Sequence, residues 1–299
     1  MEPLETLSLA HYGIVAAFVD KLGLVEFLDR HLPKSGGHHV SSGQAAKAVI
    51  LNGLGFVERR LYLFHEFFED LPTERLIGPG VFSEHLNDDV IGRLLDDLSD
   101  YNVSLLYERF VVECLAPFLP ESLVLHGDTT NISVHGEYLP DEGFTWEITF
   151  GHAKDGRTDL KRFVLNMVSS GEGVPLFLEL LSGNESDKKS IVRGLEKTSK
   201  TLEILGESPL FSVADAAFYT KENIGRLQGS WISRVPATIS EAAELLETES
   251  PLLPLEDSRY SYFEKASTYG DVSQHWFLFR SEEMAAKQEK TLAKRLEKA

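Results

Sequence analysis

Leu123-Val124-Leu125-His126-Gly127-Asp128-Thr129-Thr130 is the stretch whose reading decides the fold. A mostly apolar run ends there in a carboxylate and two threonines. A second run, Leu210-Phe211-Ser212-Val213-Ala214, ends the same way at Asp215, with Ala216-Ala217 behind it. Short β-rich runs of this kind read as buried strands. The two acids are therefore expected at strand ends, on the same edge of one sheet. Two carboxylates that must stay charged side by side usually need a divalent cation between them. Asp128 and Asp215 are thus candidate metal ligands and catalytic residues. Asp also caps the turn that leaves a strand, and that reading stands beside the metal one.

Working outward, strand patterns fill the chain around these runs. Asn131–Tyr138 and Phe144–Gly151 are expected to pair across Pro140-Asp141-Glu142-Gly143, a turn composition. Arg162–Ser169 and Val174–Leu181 flank Ser170-Gly171-Glu172-Gly173, a hairpin signal. A helix is expected from about Asp187 to Leu205, capped by Ser186 or Asp187. Beyond Asp215 come a short helix near Lys221–Leu227, a segment from Gly229 to Val235 and a helix over 239–248. Two more strands, Ser258–Ser267 and Gln274–Arg280, precede a charged helix from Ser281. Three early strands, a crossover helix and a fourth strand make the front half of a ribonuclease-H-like mixed sheet. In that architecture the first acid lies on the first strand and the second at the end of the fourth. Asp128 and Asp215 hold those places, 87 residues apart.

Residues 1–120 read differently, as mostly helical. Two short amphipathic segments break near Gly23. Ser41 suits an N-cap, with Gln44 placed for a capping box. Asn87 or Asp88 suits another, followed by Ile91, Leu94, Leu95 and Leu98 at helical spacing. Leu61-Tyr62-Leu63-Phe64-His65-Glu66-Phe67-Phe68 is expected in the core between helices. The fold class is then α+β or α/β. A helical domain, 1–120, precedes a ribonuclease-H-like domain, 121–299, that ends in the start of a β-rich insertion.

The bulk numbers exclude some classes. At 299 residues, with 42% hydrophobic and 25% charged, the chain is ordinary for a globular protein of two domains. No run approaches the roughly 20 apolar residues of a membrane span, so no membrane partner is expected. The acidic start Met1-Glu2-Pro3-Leu4-Glu5 is unlike a signal peptide. A single cysteine, Cys114, fits a reducing, cytoplasmic setting and reads as a core residue. The net charge of −18 argues against a non-specific nucleic-acid coat, whose affinity comes from Lys and Arg. Neither half is basic: 9 basic stand against 18 acidic residues up to 120, and 20 against 29 after it.

Other chemistries lack their residues. A haloacid-dehalogenase-type site needs a second Asp where Thr130 stands. There is no Walker-type loop and no Cys/His zinc spacing; His38-His39 sits in a glycine-rich loop without further ligands. His126, His135 and His152 lie near the acids in sequence, where packing or hydrogen bonding accounts for them equally well. Gly183-Asn184-Glu185-Ser186-Asp187 reads as a helix cap or as a contact beside the metal. Lys154, Arg157, Lys161 and Arg162 form the densest basic cluster between the acids, and with Arg226 and Arg234 they suit either phosphate contacts or a solvated surface.

Several phrases together resemble one family. Gly43-Gln44-Ala45, Leu51-Asn52-Gly53-Leu54-Gly55-Phe56, Arg60-Leu61-Tyr62-Leu63-Phe64 and Leu86-Asn87-Asp88-Asp89 come first. Leu125–Gly136, Asp159-Leu160-Lys161, Leu181–Asp187, Val213–Tyr219 and Ile232–Pro236 continue in order. The set is similar to bacterial insertion-sequence transposases of the superfamily named after insertion sequence four, which carry a DDE active site. The resemblance implies cleavage of double-stranded DNA at transposon ends and strand transfer to a target. It further implies Mg²⁺ or Mn²⁺ held by Asp128 and Asp215, and DNA contacts from Lys154, Arg157, Lys161, Arg162, Asn184 and Arg234. It also implies a third acid, a Glu in a phrase with Tyr, Arg and Lys. The last helix offers Glu282, Glu283, Glu289 and Glu297 without that phrase, so the chain reads as an incomplete copy ending before the third acid. A non-catalytic remnant that binds DNA, or forms a homo-oligomer through its N-terminal helices, is the alternative.

Overall fold

A computed structural model describes residues 7, 9–33, 39–54, 61–121, 123–139, 143, 145–153, 156–247, 251–256 and 259–296. The chain divides into two compact units. One comprises 1–121 with 175–180 and 200–208; the other comprises 122–174, 181–199 and 209–299.

Helices dominate the first unit: α1 (Tyr12–Lys21), α2 (Leu24–His31), α3 (Ser42–Gly53), α4 (Thr73–Leu76), α5 (Asp88–Tyr101) and α6 (Val103–Phe110). Gly23, at φ 68°, turns the chain between α1 and α2 in the left-handed region that glycine tolerates. Ser41 and Gln44 form the expected capping box on α3: the Gln44 amide donates to Ser41 Oγ at 3.1 Å, and the Ser41 amide to Gln44 Oε1 at 3.0 Å. Helices α2 and α3 meet closely at Gly43, where an added Cβ would stand 2.3 Å from the Val25 carbonyl oxygen. Asn87 caps α5 by accepting from the Val90 amide at 3.0 Å. Of that helix's expected apolar stripe, Ile91 and Leu94 are buried and Leu95 faces solvent. Phe64, between two short 3-10 turns, and Phe68, in the second, enter the core with Phe27, Leu51 and Leu86.

The five-stranded sheet contains β1 (Val124–Val134), β2 (Lys161–Ser170), β3 (Pro175–Ser182), β4 (Phe211–Ala214) and β5 (Trp231–Ser233). Helix α7 (Asp187–Ile204) lies between β3 and β4 in sequence, and α8 (Lys221–Arg226) between β4 and β5. The strand order is β3-β2-β1-β4-β5. Strand β1 runs antiparallel to β2 and parallel to β4, and β4 runs parallel to β5. Helix α7 covers one face. A Cβ at Gly127 would come 3.2 Å from Leu195 and 3.3 Å from Ile191, so glycine lets helix and strand approach. Buried Asn166 ties β2 to the same helix, its Nδ2 donating to the Ser190 carbonyl at 2.7 Å.

Two sequence expectations change here. Asp128 does not end its strand: β1 continues through Val134, pairing with β2 along its length. The polar run Asp-Thr-Thr-Asn resembles a turn, but β2 satisfies its backbone and alternate side chains stand on the sheet's open face. The hairpin between 131–138 and 144–151 is not formed among the described residues. Instead 131–134 belongs to β1, and Thr149 makes an isolated bridge to Arg162. The expected turn residues 140–142, and Phe144, lie outside the described residues.

After α9 (Ser240–Glu247) a second sheet forms from β6 (Leu253–Pro254), β7 (Tyr260–Tyr269) and β8 (Val272–Ser281), in the order β6-β7-β8. Gly270 and Asp271, both near φ 60°, close the β7–β8 hairpin in two residues, the geometry whose twist matches the strands. Helix α10 (Glu282–Leu296) follows and buries no residue.

Candidate functional site

The two acids come together through strand register. In the parallel β1–β4 pair, Gly127 stands opposite Ala214. One residue further on each chain are Asp128 and Asp215. Neighbouring strands lie roughly 4.8 Å apart, so this register brings the backbones of Asp128, within β1, and Asp215, just past the end of β4, to adjacent positions. Both residues are exposed. Burial along β1 alternates: Leu125, Gly127 and Thr129 face inward, whereas His126, Asp128 and Thr130 face outward. Met167, opposite Asp128 on β2, is also exposed.

Each carboxylate uses one oxygen locally. Asp128 Oδ1 accepts from the Thr129 amide at 2.7 Å. Asp215 Oδ1 accepts from the Ala217 amide at 2.9 Å, the turn-capping bond that Asp makes on leaving a strand. The second oxygen of each makes no hydrogen bond or ion pair among the described residues, so capping and metal binding are compatible in one side chain. Ser233 Oγ donates to the Asp215 carbonyl at 2.8 Å and fixes the backbone there from β5. Arg234, the next residue, is exposed one register step from Asp215.

The donor set suits Mg²⁺ in part. That ion binds through one or two carboxylates and keeps its other positions for water and phosphate oxygens. Among the described residues no group of three or more His, Cys, Asp or Glu side chains is placed to hold a metal. Glu282, Glu283 and Glu289 on α10 therefore do not complete the pair, and Glu297 lies outside the described residues.

The basic cluster is largely engaged with the protein itself. Arg162 is fully buried. Its guanidinium donates to the carbonyls of His152 (3.2 Å), Arg157 (2.5 Å) and Leu160 (3.3 Å). It pins the segment before β2 and presents no group to a phosphate. Arg157 holds Asp159 in a two-pronged pair at 2.8 Å on both arms. That hydrogen bonding is the main reason the Asp159 carboxyl is held down to about 2. Lys161 Nζ donates to the carbonyls of Glu137 and Tyr138. Arg226 pairs with Glu196 at 2.8 Å. Lys154 lies outside the described residues. Asn184 is exposed in the turn before α7, beside a tight crossing where a Cβ on Gly151 would meet the Gly183 carbonyl. Among the described residues, Asn184 and Arg234 are the expected DNA contacts that are exposed and make no side-chain hydrogen bond or ion pair.

Sequence reading missed the supporting bonds. Ser233 reads as an ordinary strand residue, yet it fixes Asp215. Asn131 reads as a strand start, yet its Nδ2 donates to the His152 carbonyl at 2.9 Å, holding the same segment as Arg162. Ile132 and Val134, alternating with Asn131 and Ser133, carried the signal that a strand runs on there.

Residues 4–112 match a protein-family model described as a domain of unknown function, DUF4277. No curated protein and no solved structure matches the chain.

Proposed function

We propose that this chain is a DDE-type transposase protein, of the superfamily named after insertion sequence four, acting in metal-dependent cleavage of DNA at insertion-sequence ends and in strand transfer. The observation that carries the reading is the β1–β4 register, in which Asp128 and Asp215, both exposed, each follow by one residue the paired Gly127 and Ala214. The order β3-β2-β1-β4-β5, with β2 antiparallel and β4 and β5 parallel to β1, supports a ribonuclease-H-like sheet. The ordered sequence phrases support the family.

Asp128 and Asp215 would hold Mg²⁺ or Mn²⁺ through the oxygens that their local backbone bonds leave over. When bound, the ion supplies charge neutralisation at the phosphate and activation of a water or 3′-hydroxyl for in-line attack. Ser233 keeps Asp215 in register. Arg234 suits a phosphate of the bound strand, a contact that positions DNA without reading its sequence.

A second reading, a non-catalytic DNA-binding or oligomerising remnant, is favoured by the lack of a third acid near the pair among the described residues. Nicking of transposon-end DNA with Mg²⁺ separates the two. The transposase reading expects cleavage by the native chain and at least about a hundredfold loss in Asp128→Asn and in Asp215→Asn, comparable to losing a major charge-stabilising group. Equal background cleavage by all three proteins sinks it.

A further inference from the structure

The turn that follows Asp215 is built into the second sheet. Behind the acid the chain folds tightly on itself. The Ala217 amide donates to Asp215 Oδ1 at 2.9 Å, the Phe218 amide to the Asp215 carbonyl at 3.2 Å, and the Tyr219 amide to the Ala216 carbonyl at 3.2 Å. Tyr219 closes this run and is 4% exposed. Its ring stacks on Tyr269 of β7, with centroids 5.2 Å apart and planes 20° from parallel. Its hydroxyl meets β8, donating to Gln274 Oε1 and accepting from Trp276 Nε1 at 3.0 Å. Trp276 Nε1 also reaches Gln274 Oε1 at 3.0 Å, and Gln274 Nε2 donates to the Tyr269 carbonyl at 3.2 Å. At the hairpin tip a Cβ on Gly270 would stand 3.1 Å from Lys221 Cα, so the hairpin abuts the start of α8 as well.

A buried hydroxyl that both donates and accepts is fixed in orientation, and losing a partner leaves a buried polar atom unsatisfied. A satisfied network of this kind specifies one arrangement. The turn has anchors on other sides too. Ser233 donates to the Asp215 carbonyl from β5. Buried Asn223 donates to the Phe218 carbonyl at 3.1 Å and to the Lys188 carbonyl of α7 at 2.8 Å. Tyr219 adds an anchor from the second sheet. That sheet is tied down in turn, because Glu241 of α9 holds both Lys265 and Ser267 of β7 at 2.8 Å.

We propose that Tyr219 is a positioning residue: through Gln274 and Trp276 the β7–β8 hairpin fixes the Asp215 turn and, with it, the place of the Asp215 carboxylate. Tyr219 acts through the backbone of 215–219. Its consequence for metal binding rests on the function proposed above; the mechanical link does not.

Amide hydrogen exchange of the full chain, followed by NMR, tests the link. Tyr219→Phe keeps the stacked ring and removes the hydroxyl. Exchange at the 217, 218 and 219 amides is expected to quicken roughly five- to tenfold, the scale of one net hydrogen bond, while the amides of β2 keep their native rates. Gln274→Leu should do the same from the other side of the bond, and the two changes together should be less than additive. Native rates at 217–219 in both variants, or a quickening shared equally by β2, overturn the proposal. Calorimetric titration with Mn²⁺ reads the carboxylate itself. Uptake by the native chain that Asp128→Asn abolishes supports the metal reading, and Tyr219→Phe should then bind several-fold more weakly. Native Mn²⁺ affinity in Tyr219→Phe overturns the positioning role. A native chain that takes up no Mn²⁺ ends the metal reading alone, and the exchange rates still decide whether Tyr219 holds the turn.

Discussion

Arg162 shows how one residue's environment reverses its meaning. A guanidinium in a basic cluster points to phosphate, but here it is enclosed and spends its donors on three carbonyls. Hydrogen bonds to a charged donor contribute about 1.5–3 kcal/mol each before the cost of burying the charge. Arg162→Met should therefore lower stability to urea by about 2–4 kcal/mol, through carbonyls left unsatisfied. Arg162→Lys should not restore it, since a single ammonium cannot span the fork that a planar guanidinium makes. If Arg162→Met unfolds at the native urea midpoint, this bonding has no structural weight. Asp215 caps a turn through Oδ1, and under the proposed function its other oxygen would hold a metal. Asn would keep that cap while removing the charge, so Asp215→Asn should leave stability nearly unchanged.

Among elements, the N-terminal helices follow their local signals and β1 does not. The Ser41–Gln44 box lies within four residues of chain, and its geometry is complete in the folded protein. Ser41→Ala should cost about 1 kcal/mol, the usual loss for an N-cap, read as a lower thermal midpoint with the same cooperativity. An unchanged midpoint would show that the Asp29 contact to the Gly43 amide, 2.7 Å, holds the helix start alone. Strand β1 is a different case. The residues after Asp128 have turn-like composition, and only pairing with β2, some thirty residues away, keeps them extended. Non-local pairing overrides a weak local preference. The hairpin expected at 131–151 fails for the same reason, because β2 pairs along that edge of β1.

At the scale of the whole molecule, solution pH reports on burial. Tyr107 donates to the Pro175 carbonyl at 2.8 Å, and burial pushes its phenol up to about 12. An unfolded tyrosine titrates near 10. The folded state holds this proton more tightly, so the contribution is fully present below about pH 10 and is lost as pH rises toward about 12. Alkaline titration should show Tyr107 among the last of the nine tyrosines to ionise. Tyr107→Phe should flatten the fall in stability over that window; a fall of native steepness would assign it to other groups. No described helix is long and apolar enough to cross a membrane, as the hydropathy of the sequence indicates.

The sequence by itself determined the helical start and its caps, the Gly-rich hairpin before β3, the crossover helix α7 and the two strands β7 and β8. These depend on residues close in the chain, where periodicity and turn chemistry act. Tertiary structure alone decided that β1 runs past Asp128, that Arg162 is a buried clamp, and that Ser233 and Asn131 support the segments around the site. It also decided the β1–β4 register that stands Gly127 opposite Ala214, one residue before each acid. Each of these depends on which distant strand supplies the hydrogen bonds, and a backbone group shows no preference among partners until the sheet has formed.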